Sequence, residues 1–163
     1  MRAGRPRSKG TTGETVKLFQ IEEPDGSPVD PDAPGVAIGI DIGGAAADVA
    51  VAVGGNAVML ADRDGFALDL AVPSPAASGE EWRDLFEGAR LRAERSLAQP
   101  VTHAVVALAA APDAAFAARL LRAGEAAGLM LLRIVARSEI GDGPSALAAA
   151  ILAEDMAPRP EAP

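Results

Sequence analysis

The chain has 163 residues, which is the length of one domain able to bury a real core. It is 49% hydrophobic but only 3% aromatic, so alanine, leucine and valine must fill the interior. It has no cysteine and 1 histidine, which excludes disulfides, thiolate metal sites and histidine-rich metal sites and fits a reducing cytoplasm. A net charge of −8 argues against a general nucleic-acid binder. No run reaches the roughly 18 apolar residues of a membrane span.

The charge is uneven. Arg2, Arg5, Arg7, Lys9 and Lys17 face Glu14 alone up to residue 17, a local +4 that leaves −12 for the remainder. This stretch has no apolar periodicity and reads as a disordered, solvated tail. The other reading is a basic arm for an anionic partner. No apolar segment follows the arginines, so it is not a secretory signal, while an arginine-rich transit peptide stays open. Residues 18–34 hold four prolines and an Asp-Gly and read as a linker, with Leu18, Phe19 and Ile21 as a short edge segment. The ordered domain is expected from Gly35 to Met156, followed by a flexible proline-rich tail over 157–163.

The organising stretch is VAIGIDIGGAAADVAVAVGG, Val36 to Gly55. Val36–Ile42 is nearly continuous apolar sequence, as in a strand buried on both faces, and Asp41 is its only charge. Gly43-Gly44 permits a tight turn with positive φ, and its bare amides suit a close anion. Val49, Val51 and Val53 alternate with Ala50 and Ala52 in a return strand. Asp48 reads either as a cap on the turn into that strand or as a second carboxylate near Asp41. Gly54-Gly55-Asn56 is a hairpin signal, with a third strand over Ala57–Ala61.

Asp62-Arg63-Asp64-Gly65 is a polar turn. Its two carboxylates read as a solvated turn rather than a metal pair. Phe66–Val72 alternates as another strand and ends at Pro73-Ser74-Pro75. Ser78 and Glu81 form a capping box for a helix with an apolar stripe from Trp82 to Leu97, ended by Pro100. Ala104–Ala111 is a buried strand, with His103 a residue at its start rather than a base. Pro112-Asp113 opens a helix with Phe116, Leu120, Ala123 and Ala127 on its buried face and Gly128 as its stop. Met130–Val135 is a strand, and the strand–helix–strand order implies parallel pairing. Ser138–Pro144 reads as an ordinary loop, or as a ligand-edge loop bringing Glu139 and Asp142 to a metal. Ser145–Met156 is the last helix.

GIDIGG with its valine-rich return strand resembles the first phosphate loop of the actin-like ATPases, the superfamily of actin, sugar kinases and the seventy-kilodalton heat-shock (DnaK-type) chaperones. Val101 to Val135 resembles the DnaK-type chaperones without a gap, most closely in AGEAAGL (Ala123–Leu129) and LLRIV (Leu131–Val135). PSALAA (Pro144–Ala149) is similar to the start of their following helix. The resemblance spans Val36 to Met156. It implies an α/β fold: one ribonuclease-H-like lobe, with antiparallel opening strands followed by parallel strands and helices. It also implies ATP with magnesium as ligand, held by Asp41, Gly43, Gly44 and Ala45, with Asp41 on the metal through water.

The chain departs from that pattern. The second lobe, the insert carrying a catalytic lysine and the peptide-binding domain have no counterpart, and the only lysines are Lys9 and Lys17. Gly44, Ala45, Ala46 and Ala47 replace hydroxyl and amide side chains after the loop glycine, and a methyl cannot donate to phosphate. The acidic residue expected after LLRIV falls on Arg137 without a gap, and on Glu139 or Asp142 only with a shift. Ala109 replaces the proline that ends the family's parallel strand. Phosphoryl transfer needs positioning, metal and charged clamps, so hydrolysis by this chain alone is not expected.

Three functions follow as expectations. The chain is a DnaK-like lobe without hydrolysis that acts through protein partners or self-association. Alternatively it is half of a split ATPase completed by a partner, or a structural or regulatory domain retaining only the fold. The expected location is the cytoplasm, with no nucleic-acid partner.

Overall fold

The computed structural model describes residues 35–61 and 70–158, all within the unit Pro34–Pro163. The basic tail, the linker, the Asp62–Gly65 turn, most of the Phe66–Val72 strand and residues 159–163 lie outside the described residues.

The described chain is α/β, with a five-stranded mixed sheet and three α-helices. The strands are β1 (Val36–Asp41), β2 (Asp48–Val53), β3 (Asn56–Leu60), β4 (Val101–Leu108) and β5 (Met130–Ala136). The helices are α1 (Gly79–Leu97), α2 (Ala114–Ala126) and α3 (Ser145–Met156). The sheet order is β3-β2-β1-β4-β5. β1, β2 and β3 pair antiparallel as consecutive neighbours, and β1, β4 and β5 pair parallel. The expected antiparallel opening and parallel continuation are both present.

The two faces of the sheet differ in side-chain size. One face presents Ile38, Ile40, Val49, Val106 and Leu108 to Trp82, Leu85 and Phe86 of α1 and Leu120 of α2. The other presents Ala37, Ala50, Ala52 and Ala107 to Ala146, Ala149, Ala150 and Ala153 of α3. Strand alternation puts the isoleucines on the first face and mostly alanine on the second, where Val105 and Val135 are the larger buried strand residues. Small residues on both partners let α3 press close to the sheet. At Gly39 the approach leaves no room for a side chain: a Cβ there would stand 2.3 Å from Ala150 N and 2.6 Å from Ala146 O.

Local sequence explains most element ends. Ser78 caps α1 by accepting from Glu81 N, and the Glu81 carboxylate accepts from Ser78 N, as the capping box predicts. Gly54 and Gly55 have φ of 62° and 85°, and two positive φ values in succession are what a two-residue hairpin requires. The Glu154 carboxylate of α3 accepts from both of their amides, at 2.6 and 2.9 Å. Gly128 ends α2 in the left-handed region, as predicted.

Several boundaries differ from expectation, the largest in β4, which is expected over Ala104–Ala111 and runs Val101–Leu108, so that His103 lies inside the strand. β3 begins at Asn56, one residue early, because Gly54-Gly55 alone make the turn. α1 stops before Pro100, at Ala98, which takes the left-handed conformation and donates to Glu94 O. Pro112 stays outside α2 because Asp113 is the cap, accepting from Phe116 N at 2.7 Å.

The close seat of α3 sets a prediction. Gly39→Val drives two methyls into helix backbone that cannot yield, and should cost roughly 3 kcal/mol. Gly44→Ala, whose methyl meets nothing closer than 3.9 Å, should leave stability unchanged. Denaturant midpoints of the two variants check this.

Candidate functional site

The parallel strands β1, β4 and β5 end at one edge of the sheet. Ligands of open α/β sheets bind beyond such ends. Asp41, the last residue of β1, is 5% exposed. Its Oδ1 accepts from Gly43 N at 2.9 Å and from Arg137 Nε at 3.2 Å, and its Oδ2 accepts from Arg137 Nη2 at 2.7 Å. Arg137 is the residue directly after β5, and its side chain is half-exposed. β4 separates β1 from β5, so the pair bridges two strand spacings, about 10 Å. An arginine is long enough to do so, and its fork matches a carboxylate.

Arg137 is held firmly charged. Its hydrogen bonds to Asp41 and the Asp41 charge raise its proton affinity above the ordinary value, burial opposes this, and the Asp48 charge adds to the rise. Asp48 lies directly opposite Asp41 in the β1–β2 register and is exposed. The expectation of a second carboxylate near Asp41 is therefore met by a cross-strand neighbour.

The glycine loop is built differently from expectation. Neither Gly43 nor Gly44 has a positive φ. Gly43 is bare for another reason: a Cβ would stand 2.6 Å from Arg137 Nε and 3.1 Å from Ala109 N. Its amide already donates to Asp41. Gly44, Ala45 and Ala46 are exposed. The backbone beyond the loop is tied to the segment before α1: Val72 N donates to Ala45 O at 2.9 Å, Ala47 N donates to Leu70 O at 2.8 Å, and Ala46 bridges Ala71.

The donor set does not fit a magnesium ion on Asp41. Both carboxylate oxygens are engaged, and two of the three hydrogen bonds they accept come from the Arg137 guanidinium. Glu139 sits in the exposed turn Arg137–Glu139, beside Ile140, Ile151 and Asp155 in a groove between β5 and α3. Asp142 is exposed in the following loop. Neither is bonded to Asp41, and among the described residues no group of three or more acidic, histidine or cysteine residues is arranged to hold a metal ion.

Beside the loop lies a cleft of about 620 Å³. It is walled by Gly43 and Gly44 after β1, Ala109–Pro112 after β4, Pro73 and Pro75 before α1, and Phe116 of α2. Trp82 packs edge-on against Phe116 at 5.5 Å, and its Nε1 is buried without a hydrogen-bond partner among the described residues. Arg119 lies over the Phe116 ring and donates to Pro75 O at 2.6 Å, fastening the cleft wall to α2.

Asp41, Gly43, Gly44 and Ala45 follow one another from the end of β1 and so stand at this edge by chain continuity. The pairing with Arg137 went unforeseen, and its signal was the position of Arg137. Two strands ending at one edge, two places apart, carry opposite charges at their ends. No family model and no curated protein matches the chain.

His103 lies near the opposite end of β4 and takes no part in the site. Its Nδ1 is 2.7 Å from Thr102 Oγ1, which itself accepts from Gly35 N. The hydroxyl can donate to Nδ1 or accept from it, according to the tautomer of the ring. Burial lowers the pKa below its ordinary 6.5. The unfolded chain therefore takes up the proton first, so the contribution to stability is full above 6.5 and is lost as pH falls below it. His103→Gln should remove that part of the acid sensitivity, measured by denaturant melts on either side of the ordinary value.

Proposed function

We propose that the chain is a single ribonuclease-H-like lobe of the actin-like ATPase type, related to the DnaK-type chaperones. In this reading it has lost hydrolysis and acts through protein contacts in the cytoplasm. The strand order β3-β2-β1-β4-β5 supports the lobe, with α1 and α2 on one face and α3 on the other. The phosphate loop of the sequence resemblance falls at the carboxyl end of the central strand, where a ligand edge belongs.

The observation that carries the loss of hydrolysis is the Arg137–Asp41 ion pair. Transfer of a phosphoryl group relies on cations and donors held against its oxygens. Here the strand-end carboxylate is spent on a side chain of the same protein, the first loop amide is spent on that carboxylate, and the residues beyond it offer methyls. Protein contact is supported by the cleft, which presents apolar surface from four parts of the chain. Open apolar surface of this kind usually marks an interface. Among the described residues, no helix is long and apolar enough to cross a membrane.

The reading predicts phosphate release from magnesium-ATP at the level of buffer. It also predicts association of the chain with itself or another protein that Ala110→Glu, an exposed position on the cleft wall, weakens in sedimentation. Turnover above buffer that Asp41→Asn abolishes would contradict it.

A further inference from the structure

Asp41 and Asp48 face each other across the β1–β2 pair. Like charges placed directly opposite in a sheet destabilise it. One of the two is also buried, at 5% exposure, and a buried carboxylate needs a cation or strong donors. Without a counter-charge this corner would hold two carboxylates, the kind of site that recruits a hard divalent cation. Arg137 supplies the counter-charge. It grips Asp41 through Nε and Nη2 and is electrostatically coupled to Asp48 as well. The loop is shaped to admit it, since any side chain at Gly43 would collide with the guanidinium.

We propose that Arg137 is a built-in cation for the Asp41–Asp48 corner, taking the place of a divalent metal and making this edge of the sheet metal-independent. The inference rests on the ion pair and its register, and it stands apart from the lobe's partner and ancestry. It has a converse. Removing the guanidinium uncovers a divalent-cation site, and an acidic residue at position 137 strengthens that site.

The test uses the full chain and three variants, melted in chelator and in millimolar magnesium or manganese. The wild-type midpoint is expected to be the same in both. Arg137→Ala and Arg137→Glu are expected to melt several degrees lower in chelator and to regain the loss saturably with metal. Adding Asp41→Asn to Arg137→Glu should abolish that regain. A variant too weak to fold in chelator should fold on metal addition, read by circular dichroism. The proposal is overturned by a saturable metal-dependent rise in the wild type that Asp41→Asn removes. It is equally overturned by Arg137 variants whose folding ignores metal.

Discussion

The burial of β1 from every side governs this structure. It has β2 on one side and β4 on the other, α1 and α2 over one face and α3 over the other. Its residues are therefore chosen by space. Ile38 and Ile40 fill the side of the large core, and Ala37 and Gly39 give way to α3 on the other. A strand enclosed in this way has one outlet, its carboxyl end, and the only charge it carries is there. Asp41 is consequently buried yet charged, a combination that folding tolerates only when the charge is paired and hydrogen-bonded.

Everything notable at this edge of the sheet answers that need. Arg137 reaches across β4 to supply the charge, Gly43 supplies an amide and the space, and the charge of Asp48 favours the same guanidinium. In the proposed reading, the pairing lets a phosphate-loop-like sequence persist without the chemistry that such loops serve. Groups that would meet a phosphate or its metal are satisfied internally. The neighbouring cleft has proline, alanine and aromatic walls fastened by Arg119.

Local patterns made much of this fold legible. Valine–alanine alternation gave β2, the Ser78–Glu81 box gave the start of α1, and Gly54-Gly55 gave the hairpin, because each depends on residues a few positions apart. Proline misled at two ends. Ala98 and Asp113 terminate or cap their helices by hydrogen bonds, which pre-empt Pro100 and Pro112. The glycine at 43 suggests a backbone angle, whereas what it provides is space for a side chain from position 137. Contacts over such separations, 96 residues for Asp41 and Arg137, leave no periodic trace. The same holds for the seat of α3 on Gly39, which needs the sheet assembled before the helix can meet it.

The most direct measurement is a thermal melt of the full chain with and without magnesium-ATP, followed through Trp82, the single tryptophan, buried against Phe86 and Phe116. A ligand bound to the native state must stabilise it, by about 2.7 kcal/mol at a hundredfold excess over its dissociation constant. With Asp41 occupied by Arg137, the midpoint should not move at millimolar nucleotide. A rise that Asp41→Ala removes would show that the site still takes nucleotide and metal, and would contradict the account.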